Sequence, residues 1–173
     1  PEPSLTRTAF VQVITGLRGV GKTTLARHYA DKYWRCYRQI FWVDCRSGLE
    51  NGFAAIFDQL NIEQNDRELT IPEKAASALR DLSRTDIQAS RLIILDNAPD
   101  EDAVQNWIPA TGNCHVLVTS YFSDWSSTFA RFPLWVLDEK SAIQFLLKRS
   151  DRAEATETLT WAEQIVKSVG YLP

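Results

Sequence analysis

The 173-residue chain has no methionine, only two histidines and three cysteines, and no excess of charge of either sign. Cys36, Cys45 and Cys114 include no CxxC pair, so they form neither a disulfide framework nor a zinc-binding spacing and read as buried, reduced thiols. His28 and His115 stand far apart and read as structural. Lys plus Arg number 19 against 22 for Asp plus Glu, a net charge of -3 with no basic cluster, which argues against nucleic acid or a membrane surface as partner. No apolar run approaches the roughly 18 residues that a bilayer span needs. The opening PEPSLTRT is too polar for a signal peptide, and the chain reads as cytoplasmic. Repeats and low-complexity tracts are also lacking. What remains is 45% hydrophobic, the composition of a globular domain whose core needs neither disulfides nor a structural metal.

Five short apolar runs punctuate the chain: Phe10 to Thr15, Gln39 to Asp44, Arg91 to Asp96, His115 to Thr119 and Phe132 to Leu137. Their near-continuous apolar character predicts strands buried on both faces, hence a parallel sheet flanked by helices and an α/β fold. Lys22 to Tyr33 places Leu25, Tyr29 and Tyr33 on one stripe, and Leu49 to Leu60 does the same with Phe53, Ile56, Phe57 and Leu60. Pro72 suits the first turn of a helix reaching Leu82, and residues 61–71 read as a solvated loop. Two more helices are predicted, Glu139 to Arg149 and Glu154 to Val169, the latter with Leu159, Ala162, Val166 and Val169 in register. Trp42, Trp107, Trp125, Trp135 and Trp161 are scattered over different elements and read as packing rather than as a base-stacking set.

The segment from Gly16 to Thr23 (GLRGVGKT), followed by Thr24, matches the phosphate-binding GxxxxGK[ST] pattern between an apolar strand and a helix. Glycines let the backbone N-H groups of Gly16, Gly19, Val20 and Gly21 converge on phosphate oxygens at the positive end of a helix. Lys22 then reaches the outer phosphates, and the Thr23 hydroxyl is a ligand for Mg²⁺. Asp96 ends the aliphatic run Leu92 to Leu95 and supplies the second metal-binding group at the same sheet edge. Asn97 follows where a second, water-activating carboxylate often stands, so binding is expected to outweigh hydrolysis. Thr119, Ser120 and Tyr121 end another strand at that edge and are candidate sensors of the nucleotide state.

Taken in order, GLRGVGKTTLARHYA, IFWVDCRS, RLIILDNAPD, CHVLVTS, VLDEKSAIQFLLKRS and VGYLP resemble the NB-ARC module of STAND signalling ATPases. The likeness is to the tetratricopeptide-sensor branch of bacteria and fungi, related in its switch to plant and animal immune receptors. It implies the AAA+-like, five-stranded P-loop fold, with the sensor strand between the P-loop strand and the Asp96 strand. It also implies a nucleotide-binding domain over 1–137 and the first helices of an ARC1-like helical domain over 138–173, whose GYLP motif presents Pro173 to adenine. Arg18 departs from the family's glycine, which admits a side chain only if it points away from the phosphates. Tyr121 departs from the arginine that senses the γ-phosphate.

These readings together predict an ATP/ADP and Mg²⁺ binding switch, at most a slow ATPase, with Lys22 and Asp96 as its chemical groups. It would belong to a longer protein carrying effector and sensor domains, and would homo-oligomerise on activation. A P-loop kinase or motor ATPase is one alternative, but no second basic cluster is present to grip an acceptor. A module that keeps the fold without nucleotide is another. A GTPase is disfavoured because no Asn-Lys-x-Asp motif occurs.

Overall fold

The computed structural model describes residues 9–60, 68–84, 90–151 and 156–173. The opening PEPSLTRT, residues 61–67 of the expected loop, and Glu154 and Ala155 of the expected last helix lie outside them. Five strands, β1 (Phe10–Thr15), β2 (Gln39–Asp44), β3 (Arg91–Ala98), β4 (Cys114–Ser120) and β5 (Ala130–Pro133), form one parallel sheet in the order β2-β3-β4-β1-β5. The helices are α1 (Lys22–Tyr33), α2 (Leu49–Leu60), α3 (Ile71–Leu82), α4 (Glu101–Gln105), α5 (Glu139–Ser150) and α6 (Thr156–Ser168).

The apolar runs become buried strands because their alternate residues feed two different cores. Leu92 and Ile94 of β3 pack with Ile14, Ala26 and Leu117 beneath α1. Ile93 and Leu95 pack with Phe53, Ile56, Phe57, Ala75, Ala78 and Leu82 beneath α2 and α3. Each such side chain contributes about 2 kcal/mol on burial, which is why a strand without alternation is stable here and nowhere near solvent. One charged pair crosses this core: Arg91, 7% exposed, meets the Asp81 carboxylate of α3 at 2.9 Å and Gln39 at 3.2 Å.

The capping chemistry sets the helix starts. The Thr70 N-H donates to the Glu73 carboxylate ahead of α3 (2.9 Å), Asp138 accepts from the Ser141 N-H at α5, and Asp100 accepts from the Ala103 N-H at α4. Asp100 therefore caps the segment after β3, and Asp96 is left for other work.

Some expectations are corrected. The fifth strand ends at Pro133, short of Leu137, because its neighbour β1 ends at Thr15; after the Leu134 N-H reaches the Thr15 carbonyl (2.7 Å) no strand remains to pair with. All three cysteines are free, but only Cys114 is buried; Cys45 is half-buried and Cys36 is exposed in the short turn after α1. Trp125 is buried and Trp107 stacks near Phe53 (4.9 Å), whereas Trp42 lies under the Arg27 guanidinium and Trp135 and Trp161 face solvent. No helix among the described residues is long and apolar enough to cross a membrane.

Candidate functional site

The carboxyl ends of β1, β2, β3 and β4 meet at one edge of the sheet, around a cavity of about 640 Å³ lined by Arg18, Gly19, Gly21, Lys22, Thr23, Thr24, Cys45, Arg46, Asn97, Pro99 and Tyr121. The loop from Gly16 to Gly21 leaves β1 and enters α1. Gly21 sits at φ +98°, a conformation that L side chains rarely adopt, and a Cβ on Gly16 would run into the Leu134 carbonyl. Unlike α3, α4 and α5, α1 has no side-chain cap and no acidic residue in its first turn. Its leading N-H groups are thus open to an anion from outside the helix.

Lys22 folds back over this loop, its Nζ donating to the carbonyls of Gly16 (2.9 Å) and Leu17 (2.7 Å). Burial pulls its pKa below the ordinary lysine value; the charge of Asp96 works against that shift and the charge of Arg18 works with it.

Asp96, buried at the end of β3, is the hydrogen-bonding hub beside the start of α1. Its Oδ1 accepts from Thr23 Oγ1 at 2.8 Å and from Thr119 Oγ1 at 2.5 Å. Asn97, at φ +63°, occupies the left-handed region that asparagine tolerates, where the β3–β4 register shifts between Leu95 and Ala98. That turn aims its amide between two carboxylates, donating to Asp96 Oδ2 (3.1 Å) and Asp44 Oδ1 (3.3 Å), while its N-H donates to Thr119 Oγ1 (3.0 Å). Asp44 is the register partner of Asp96 at the end of β2, and its hydrogen bonds from the Arg46 side chain bring its pKa down to about 2.

A hydroxyl and a carboxylate already 2.8 Å apart suit a hard cation that takes oxygen ligands. No group of three or more His, Cys, Asp or Glu among the described residues could hold a metal. A magnesium ion at Thr23 and Asp96 would therefore need phosphate oxygens and water to complete its shell.

The candidate residues fall into two groups. Gly19, Gly21, Lys22, Thr23 and Thr24 line the cavity. Val20, Thr119 and Ser120 are buried: Thr119 acts on the cavity through Asp96, and the Ser120 hydroxyl donates to the Ala98 carbonyl and accepts from the Phe122 N-H. Pro173 is brought beside Gly21 and Leu172 beside Gly19, where Cβ atoms on those glycines would meet them at 3.8 and 3.3 Å. The Arg18 guanidinium lies 4.7 Å above the Tyr121 ring, in the cavity wall. The two departures from the family pattern are in contact. Asp44 and Arg46 went unmarked in the sequence, although Asp44 ends an apolar run just as Asp96 does.

No protein-family profile matches the chain. It is 28% identical over 172 residues to the regulatory protein AfsR of Streptomyces griseus, and spans 94% of itself but 17% of that relative. Among solved structures it resembles Cdc6p from Pyrobaculum aerophilum (TM-score 0.57, 15% identity, 83% of this chain and 44% of that one). It also resembles a STAND protein with a tetratricopeptide repeat sensor from Pyrococcus horikoshii (TM-score 0.54, 16% identity, 96% and 26%). The five-stranded parallel sheet with flanking helices is therefore the fold of P-loop NTPases of the AAA+ kind.

Proposed function

We propose that the chain binds ATP and ADP with Mg²⁺ and is the nucleotide-operated switch of a larger cytoplasmic signalling protein of the STAND, NB-ARC type. The observation that carries this reading is the junction of helix and strand: uncapped α1 opens with Lys22, folded over the loop, and Thr23, which is hydrogen-bonded to Asp96 at the end of β3. Phosphates taken up by the loop amides and Lys22 would place their oxygens beside that pair, where a magnesium ion supplies charge neutralisation.

In the same reading, residues 138–173 begin a helical domain that packs Pro173 toward the adenine. A switch needs only that the nucleotide bind two domain arrangements with different affinity, because that difference is the free energy available to shift their balance. Effector and sensor domains elsewhere in the protein, and homo-oligomerisation on activation, complete the proposal. Hydrolysis is slow, because Asn97 offers an amide where a base would have to stand and its amide is already engaged by Asp44 and Asp96.

Calorimetry with ATP and ADP, beside a phosphate-release assay, tests the reading. Lys22→Ala should weaken both nucleotides at least about tenfold, about 1.4 kcal/mol. Equal affinity in parent and variant would remove Lys22 from the site, and rapid multiple turnover would replace the switch with an ATPase.

A further inference from the structure

The residues lining the cavity include three cations, Arg18, Lys22 and Arg46, and no acid. Two of these charges are answered within the protein. Arg46 is paired with Asp44 at 2.7 Å, and Lys22 feels the carboxylate of Asp96. Arg18 has no ion pair or hydrogen bond with any other described residue; its partner is the Tyr121 ring. Arg18 and Lys22 line the same cavity, and the charge of Arg18 helps depress the Lys22 amine, so two cations face one space and only Lys22 feels a neighbouring carboxylate, that of Asp96. Such a convergence costs free energy in the empty site and returns it when a polyanion enters.

The position of the pair says which part of the polyanion it meets. Tyr121 follows β4, and β4 lies between β1, from which the phosphate loop springs, and β3, which carries Asp96. Arg18 belongs to the loop itself, and its contact with Tyr121 carries the guanidinium toward the end of β4, on the side of the loop that faces β3 and Asp96. A guanidinium resting on an aromatic face keeps N-H groups free for phosphate oxygens, and the ring limits the rotamer freedom it would otherwise lose on binding.

We propose that Arg18, positioned by Tyr121, reads the terminal phosphate and so distinguishes a nucleoside triphosphate from a diphosphate. The proposal rests on the nucleotide-binding reading of the same cavity. The test is calorimetry with Mg²⁺-ATP and Mg²⁺-ADP on the parent, Arg18→Gln, Tyr121→Leu, Tyr121→Phe and Lys22→Ala, with thermal melts to establish that each is folded. Arg18→Gln should lose about tenfold in ATP affinity while ADP changes less than about twofold. Tyr121→Leu should lose part of that selectivity, and Tyr121→Phe, which keeps the ring, should retain it. An ATP-to-ADP affinity ratio unchanged by Arg18→Gln overturns the role of Arg18 alone, provided Lys22→Ala still weakens both nucleotides. A parent that binds neither nucleotide overturns both readings.

Discussion

Thr23 and Asp96, separated by 73 positions in the chain, share a 2.8 Å hydrogen bond that ties the first turn of α1 to the end of β3. In the proposed reading the same two oxygens would take a magnesium ion, and metal binding would then exchange this bond for coordination. Asp96→Ala is expected to abolish most of the gain in ATP affinity on adding Mg²⁺, about tenfold or more, while leaving metal-free binding nearly unchanged. A variant that responds to Mg²⁺ as the parent does would show Asp96 to be structural.

Asn97 invites an obvious substitution, Asn97→Asp, to install the missing base. The expected outcome is a loss of stability of about 1–2 kcal/mol at neutral pH, because one change removes two donated hydrogen bonds and adds a third carboxylate beside Asp44 and Asp96. Mg²⁺-ATP should recover part of that loss. Chemical denaturation with and without Mg²⁺-ATP measures both effects, and a variant as stable as the parent without nucleotide contradicts the bridging role given to this amide.

Asp44 carries a pH signature. Hydrogen bonds from Arg46 hold its folded-state pKa at about 2, below the ordinary 3.8, so the pair favours the folded state above 3.8 and that benefit fades as pH falls toward 2. The benefit is small, because the Arg46 side chain is 71% exposed and water screens the pair. Carbon-detected NMR should find Asp44 ionised throughout the range where ordinary carboxylates titrate, and Arg46→Ala should raise its pKa. An Asp44 that titrates near 3.8 in the parent would contradict the pairing.

Trp161, Ile165 and Val169, 66%, 47% and 47% exposed, recur every fourth residue and form an apolar stripe along and just beyond α6. Sedimentation should show the chain self-associating as concentration rises, and Ile165→Glu should shift it toward monomer. Monomeric behaviour of the parent at high concentration would mean that the stripe is too narrow to matter.

The sheet was legible because β3 and β4 are apolar on both faces, a pattern that few other environments produce; the connection from β1 into α1 was legible because a glycine-rich stretch separates an apolar run from an amphipathic one. The fifth strand was misread at its end, since its extent depends on where β1 stops rather than on its own residues. Cys36 was expected to be buried and is not, because composition cannot tell a turn from a strand end. The Asn97 bridge and the Arg18-Tyr121 contact were invisible for a deeper reason. Both join positions more than 50 residues apart through side-chain direction, which the register between parallel strands determines and a single sequence does not display.

The short tail after α6 gives the fold a mechanical property. The Tyr171 carbonyl accepts from the Leu137 N-H, and Leu172 and Pro173 lie beside Gly19 and Gly21 of the β1–α1 loop, so one end of α6 is held next to the proposed nucleotide site. The helix behind it has 13 residues, about 20 Å of stiff rod. If phosphates lift the tail enough to tilt that rod by about 10°, its far end travels about 3 Å, turning a displacement of atomic size at the loop into one that a neighbouring domain can register. Distances between spin labels at the two ends of this rod and on the sheet, with and without nucleotide, should therefore change more at the end remote from the loop, and equal changes at both ends would argue against such leverage.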